Sequence, residues 1–268
     1  MLRRVVKTLI LAAALLLIVS IAYGYYECGC IVTRVYHVES SLVNNTIVIM
    51  QLSDTHFPHK TPSLNKILSV EEEFKPNITV LTGDYLSNPS GYRELLETLE
   101  KLVLVEGSGR VYGVLGNWDF GLKKSYVYRA FAESGATLLV NNYTILRIGP
   151  TTITLIGLDD ALHGHPDLNV SLAGCGFKIL LAHEPELALE AFKKGFRGLA
   201  FTGHCHGGQI RILGHPLVTP KMCIPGMLDG LYRVRGGYLV VNAGLGNTYV
   251  PVRIGVKPEI VVLYIEPK

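Results

Sequence analysis

Charge is scarce in this sequence. Lysine, arginine, aspartate and glutamate make up 18% of 268 residues, against 49% hydrophobic residues. That balance supports a sizeable core and excludes a disordered chain. Net charge is scarce too: of a formal +3, residues 1–30 supply three positives and one negative, leaving 3 − 2 = +1 for the remainder. So small a surplus carries no nucleic-acid-binding signal. The five cysteines, Cys28, Cys30, Cys175, Cys205 and Cys223, are too few and too irregularly spaced for a disulfide framework, although an external location would permit one bridge. Cys28-Gly29-Cys30 lacks the spacing of a structural zinc knuckle. Internal repeats, low-complexity tracts and a second domain boundary are also missing, so one domain of about 240 residues is expected after the N-terminal segment.

What is present first is a long apolar run. Thr8 to Tyr26 is uncharged and close to the roughly 20 residues that span a bilayer. Arg3, Arg4 and Lys7 precede it, and Glu27 is the only charge soon after, so the positive-inside rule leaves the N-terminus in the cytoplasm. The expectation is a transmembrane signal anchor at 1–26, a tether at 27–44 with IVTRVYHV as a candidate first strand, and a domain at 45–268. That places a single-pass protein in the cell membrane with its domain extracytoplasmic. A cleaved signal peptide is the alternative, since Ala22-Tyr23-Gly24 is a weak small-x-small site, but the run is long for one.

Beyond the tether, apolar runs of strand length end repeatedly in polar clusters. TIVIMQL leads to Ser53-Asp54-Thr55-His56, NITVL to Thr82-Gly83-Asp84, RVYGVL to Gly116-Asn117, FKILLA to His183-Glu184, and GLAF to Thr202-Gly203-His204-Cys205-His206. Between them lie helical patterns: SLNKILSVEEEF, with Thr61 as candidate N-cap and Pro62 at the first position, then YRELLETLEKLVLV, KKSYVYRAFAESG and PELALEAFKKG. Strands alternating with helices imply an α/β fold with parallel pairs, whose sites form beyond the carboxyl ends of the strands. The later part reads as more antiparallel, with hairpin signals at Asn141-Asn142 and Gly236-Gly237 and a last strand at EIVVLYIE.

Taken singly, each polar residue has an ordinary reading: Asp54 or Asp84 as a cap, Asn117 as a turn former, His183 as a core histidine, His204 and His206 as turn residues beside glycines. Their shared position at strand ends favours a metal site instead. Asp54, His56, Asp84, Asn117, His183, His204 and His206 mix carboxylate, amide and imidazole, a set suited to Mn, Fe, Co or Zn. Seven are too many for one open ion and suit two ions that share a carboxylate.

In order, D-x-H, G-D, G-N, H and G-H-x-H resemble the calcineurin-like metallophosphoesterases over residues 46–268. The stretch GHCHGGQI and the tail YLVVNAGLGNTYVPVRIGVKPEIVVL are similar to the membrane-associated, YkuE-like branch. The resemblance implies a sandwich of two mixed β-sheets flanked by helices, two divalent or trivalent ions, and attack of a bridging hydroxide on a phosphomonoester, phosphodiester or pyrophosphate. It implies that Asp54, His56 and His206 hold one ion, that Asn117, His183 and His204 hold the other, and that Asp84 bridges them, with Asp54, Asp84, Asn117 and His204 the catalytic residues. A lipid-linked or cell-envelope phosphoester fits the anchor.

One position departs from the family. VLGNWDF has Trp118 where the family has a histidine, and indole cannot exchange a proton near neutral pH. Trp118, Asp119 and His59 are therefore expected to shape the substrate pocket, with His59 a stand-in for the missing acid. A metal-binding scaffold or receptor-like protein with little turnover is the alternative function. His163 and His165 are pocket-lining or surface residues, Asp159-Asp160 candidates to orient ligands, and His37 and His215 structural. Arg253 reads as an outward strand arginine, with a phosphate contact the alternative, and Cys205 as a packing residue.

Overall fold

A computed structural model describes residues 1–58, 64–107 and 109–268. The expected Thr61 cap, Pro62 and His59 lie outside the described residues. Helix α1 (Leu2–Glu27) contains an 18-residue stretch of mean hydropathy 2.6, none of it buried, and only Gly24 and Glu27 near its end are buried.

Two mixed six-stranded sheets follow. The first runs β1 (Val32–Ser40), β14 (Glu259–Pro267), β2 (Ile47–Leu52), β3 (Ile78–Leu81), β4 (Val111–Gly113), β5 (Thr137–Leu138). The second runs β12 (Gly230–Val234), β13 (Gly237–Val241), β9 (Gly198–Thr202), β8 (Phe177–Leu181), β7 (Thr151–Gly157), β6 (Asn142–Ile148). A small hairpin, β10 (Arg211–Ile212) and β11 (His215–Pro216), stands apart. Strands β2 to β5 pair in parallel, as do β7, β8, β9 and β13. Within the two large sheets, the antiparallel pairs of named strands are β6–β7, β12–β13 and β14–β2. The β12–β13 turn is Arg235-Gly236, because Gly237 already pairs with Val234. The 27–44 stretch does more than tether: β1 pairs along its full length with β14.

Alternation along the strands builds three apolar layers. Ile47 and Ile49 of β2 point between the sheets, where they meet Ile153, Ile179 and Phe201 of the second sheet. Met50 and Leu52 point the other way, onto α2 (Leu64–Phe74), α3 (Tyr92–Glu106) and α4 (Leu122–Ser134). Helix α5 (Pro185–Lys194) covers the outer face of the second sheet through Leu187, Ala188, Ala191 and Phe192. A strand buried on both faces needs apolar residues at successive positions, which is why IVIM in β2 and ILL in β8 are unbroken apolar runs. The parallel halves bring the carboxyl ends of β2, β3, β4, β8 and β9 to one end of the sandwich.

Candidate metal centre

The residues just past those strand ends turn sharply into the space between the sheets. Asp54, His56, Asp84, His204 and His206 all have positive φ, from 49° to 69°. Each is a conformation that costs a non-glycine residue about 1–3 kcal/mol and persists only where surroundings over-determine it. Tight approach explains two of the glycines: a Cβ on Gly203 would overlap Ser53 and Asp54, and one on Gly116 would overlap Asp84.

Two groups of ligand-type atoms result, Asp54, His56, Asp84 and His206 in one, Asp84, His183 and His204 in the other. In the first, His56 Nε2 lies 3.2 Å from His206 Nε2 and 3.6 Å from Asp84 Oδ2, and His206 Nε2 lies 3.3 Å from Asp54 Oδ1. In the second, His183 Nε2 lies 3.3 Å from Asp84 Oδ2 and 3.1 Å from His204 Nδ1. Asn117 Oδ1 joins it, 3.1 Å from His183 Nε2 and 3.0 Å from His204 Nδ1. The tautomers agree. His183 Nδ1–H donates to the Thr82 carbonyl at 2.7 Å and His204 Nε2–H to the Lys221 carbonyl at 2.7 Å, so in each ring, when neutral, the other nitrogen turns its lone pair inward. Lone pairs converging on lone pairs and carboxylate oxygens repel unless a cation lies among them, so the donor set fits two metal ions.

Without an ion, burial lowers His183 but the Asp84 carboxylate outweighs it and raises that ring well above the ordinary imidazole range, so its inward proton must leave when a metal binds; His204 and His206 differ. Burial, then the neighbouring His183, brings His204 down to about 4. Burial, His56 and the Arg253 guanidinium hold His206 well below the ordinary imidazole range. Both rings are therefore neutral at pH 7, as ligands must be. Burial alone would lift Asp84, but His183, with His56 and His204, outweighs it and keeps that carboxylate ionised. Asp54, lifted to about 6 by burial, accepts from the Ser53 hydroxyl at 2.5 Å and the His204 N–H at 3.0 Å. Thr82 donates to Ser53, and Gln51 to Thr82, so a buried chain of side chains fixes Asp54.

Several residues stand elsewhere than the sequence suggested. Asp119, expected in the substrate pocket, is fully buried. Its carboxylate accepts the N–H groups of Asp84, Tyr85 and Gly116, joining two ligand-bearing loops from behind. Arg253 is neither outward nor open to a phosphate. It is buried, bonded to Asn247 Oδ1 and the carbonyls of Gly244 and Gly246, with one amino nitrogen 3.4 Å from His206 Nδ1. Cys205 is buried as expected but forms a disulfide with Cys223. Asp159 and Asp160 accept backbone N–H groups of residues 160–165 and so organise their own loop. His163 lies at the outer mouth beside Phe120, and His165 is exposed. His37 stacks on Tyr264, and His215 is exposed in β11.

Trp118 lines the cavity that holds Asp84, Asn117, His204 and His206, a volume of about 300 Å³. Its backbone N–H donates to Asp84 Oδ1 at 2.7 Å, and its indole meets His56 edge-on at 5.2 Å between centroids. Sequence reasoning missed Tyr249, whose ring is 5.5 Å from the indole, and Lys123, whose ammonium lies 4.8 Å above it. Tyr249 lies in the tail YLVVNAGLGNTYVPVRIGVKPEIVVL and Lys123 in a helical pattern, neither beside a ligand motif, and only the fold brings them to the mouth.

A two-sheet α/β sandwich with adjoining Asp/His clusters at its strand ends has the architecture of a metal-dependent hydrolase. Residues 47–208 match the calcineurin-like phosphoesterase family. The chain is 33% identical over 259 residues to an uncharacterized metallophosphoesterase of Bacillus subtilis, YkuE, covering 90% of this chain and 88% of that one. It is 31% identical over 235 residues to a transmembrane protein with metallophosphoesterase domain from Danio rerio, covering 81% of this chain and 52% of that protein. In fold it resembles the NAD nucleotidase of Haemophilus influenzae, with a TM-score of 0.52 at 14% identity over 74% of this chain and 45% of that one. The chain belongs to the calcineurin-like phosphoesterase family, hydrolases that act on phosphoester bonds.

Proposed function

We propose that the protein is a membrane-anchored, dinuclear metallophosphoesterase whose site lies outside the cytoplasm. Asp54, His56 and His206 hold one ion, Asn117, His183 and His204 the other, and Asp84 serves both. The observation that carries this reading is that Asp84 alone belongs to both ligand groups. Ions of the Mn, Fe, Co or Zn kind there would polarise the phosphoryl oxygens and generate a nucleophile from water at neutral pH. The chain's own residues prepare the site. Asp84 is oriented by the Trp118 backbone N–H, the His204 and His206 imidazoles are neutral, and the Lys123 and Lys221 side chains bring positive charge to the mouth where a phosphate arrives. The anchor reading rests on α1 and its flanking arginines. The Cys205–Cys223 disulfide supports an oxidising compartment. Trp118, in place of an exchangeable acid, is what favours the second reading, a scaffold with little turnover.

The test is metal content together with hydrolysis of bis(p-nitrophenyl) phosphate in Mn²⁺. Two ions per chain and turnover are expected. Asp84→Asn should lose both ions and a factor of at least about 10² in rate, whereas His206→Ala should chiefly deplete one ion. Metal binding without turnover would select the scaffold; equal loss of both ions from His206→Ala would contradict the ligand assignment.

A further inference from the structure

The end of α1 is docked on the segment beside the metal centre. The Gly24 carbonyl accepts the Arg253 N–H at 3.0 Å, and Glu27 Oε2 accepts the Gly255 N–H at 2.9 Å. Cys28 Sγ lies 3.4 Å from Asn247 Oδ1, and a Cβ on Gly24 would overlap Val252. Tyr23, Tyr25 and Tyr26 are exposed on the same turn, the residue type that marks a membrane–water interface. A few residues before these contacts, the same segment presents Tyr249, 88% exposed, and Val250. Against it lies the β10–β11 hairpin, tied on by the Gln209 side chain to the Thr248 and Val250 carbonyls and by Ile254 to Gln209 and Arg211. The hairpin exposes Leu213 fully, with Ile212, Leu217 and Val218 beside it. Such a contiguous apolar surface is unusual in water and marks a lipid, ligand or partner site.

Between the two segments runs a groove of about 380 Å³, lined by Ile210, Leu217, Val218, Pro220, Tyr249 and Val250, with His206 at its inner end. Val218, Pro220 and Tyr249 also line the cavity of the metal centre, so groove and cavity are continuous. One end is a cluster of metal-ligand atoms and cations, the other is hydrocarbon. Resting on the phosphoesterase reading above, we infer that the groove takes the hydrocarbon tail of a membrane lipid whose phosphate lies at the metal centre, and that this substrate comes from the bilayer in which α1 is anchored. The occupant is a lipid because the groove shares its wall with the docking segment of the anchor.

The full-length protein in phosphatidylcholine vesicles with Mn²⁺ is assayed on p-nitrophenyl phosphodiesters whose second group is ethyl or hexadecyl. kcat/KM should favour the hexadecyl ester at least about tenfold, since each buried methylene adds to binding. Leu217→Asp and Val250→Asp should each lower that ratio at least about fivefold by placing a carboxylate against the tail, chiefly through KM. Metal content of each variant, matching the wild type, reports an intact fold. A hexadecyl phosphate brominated along its chain should quench Trp118, the single tryptophan, in the wild type and less in the variants. A ratio near one, or one unchanged in both variants, overturns the groove while leaving the phosphoesterase intact. Hydrolysis of neither ester by metal-loaded protein overturns the phosphoesterase reading, and absence of quenching overturns the groove independently.

Discussion

At the residue scale, the feature that sets this chain apart is Trp118. Its backbone N–H bonds Asp84, as any residue at this position would, and its ring walls the cavity, so the side chain takes part in shape and not in proton transfer. A missing general acid costs a factor of roughly 10² to 10⁴, but leaving groups of low pKa need little protonation. Trp118→His should therefore raise turnover of esters with poor leaving groups more than turnover of nitrophenyl esters. Steady-state rates across a leaving-group series decide it, and equal or reduced turnover throughout would sink the missing-acid account. His59, the expected stand-in, lies outside the described residues. Arg253 shows how a residue misleads when read alone. An arginine in VPVRIG has the look of a solvated strand residue, yet its guanidinium is buried and donates through one amino nitrogen to carbonyls of the loop that follows β13, and its charge helps keep His206 neutral.

At the scale of elements, the ligand loop after β9 is fastened twice, by glycines that admit close contacts and by the Cys205–Cys223 bridge. That bridge spans 18 residues and closes a loop containing His206 and the β10–β11 hairpin. Loop-closure entropy puts its contribution at about 3 kcal/mol. Cys205→Ser combined with Cys223→Ser should lower the thermal midpoint by several degrees, and a reductant should do the same to the wild type while leaving the double variant unmoved. Calorimetry with and without reductant checks both. A second element-scale prediction concerns the end of α3. Burial lifts the Glu106 carboxyl to about 8, above its value in an unfolded chain, so between pH 4.5 and 8 the folded state binds more protons than the unfolded one. Its contribution to stability is intact at low pH and is lost as pH rises through that window. Glu106→Gln should remove the loss, so the midpoint of the variant should gain on the wild type from pH 5 to pH 8.5. A constant difference would show that the carboxyl is not protonated in the fold.

At the scale of the whole molecule, α1 and the metal centre are neighbours, because the segment 247–255 receives the end of the helix and also supplies Arg253 behind His206. If α1 is a membrane anchor, as proposed, it bears on where the cleft opens as well as on where the protein resides. If the domain is outside the cytoplasm, a reporter fused after Lys268 should behave as non-cytoplasmic, and alkaline phosphatase and green fluorescent protein fusions should give opposite readings. Fluorescence from the second fusion inside the cell would reject this topology.

The sequence by itself determined the period of each element and the class of fold. Apolar runs of strand length bounded by turn residues fit strands buried on both faces, and helical stripes between them favour parallel crossovers. It also marked Asp54, His56, Asp84, Asn117, His183, His204 and His206, because chemistry-bearing side chains recurring after successive strands have one common end of the sheet to occupy. Tertiary structure alone decided the Cys205–Cys223 pairing, the burial of Arg253 and Asp119, the inclusion of β1 in the sheet, and the seating of α1 beside the cleft. Each of these depends on contacts between residues far apart in the chain, whose distances are fixed by how two sheets and their loops pack and leave no periodic mark on the sequence.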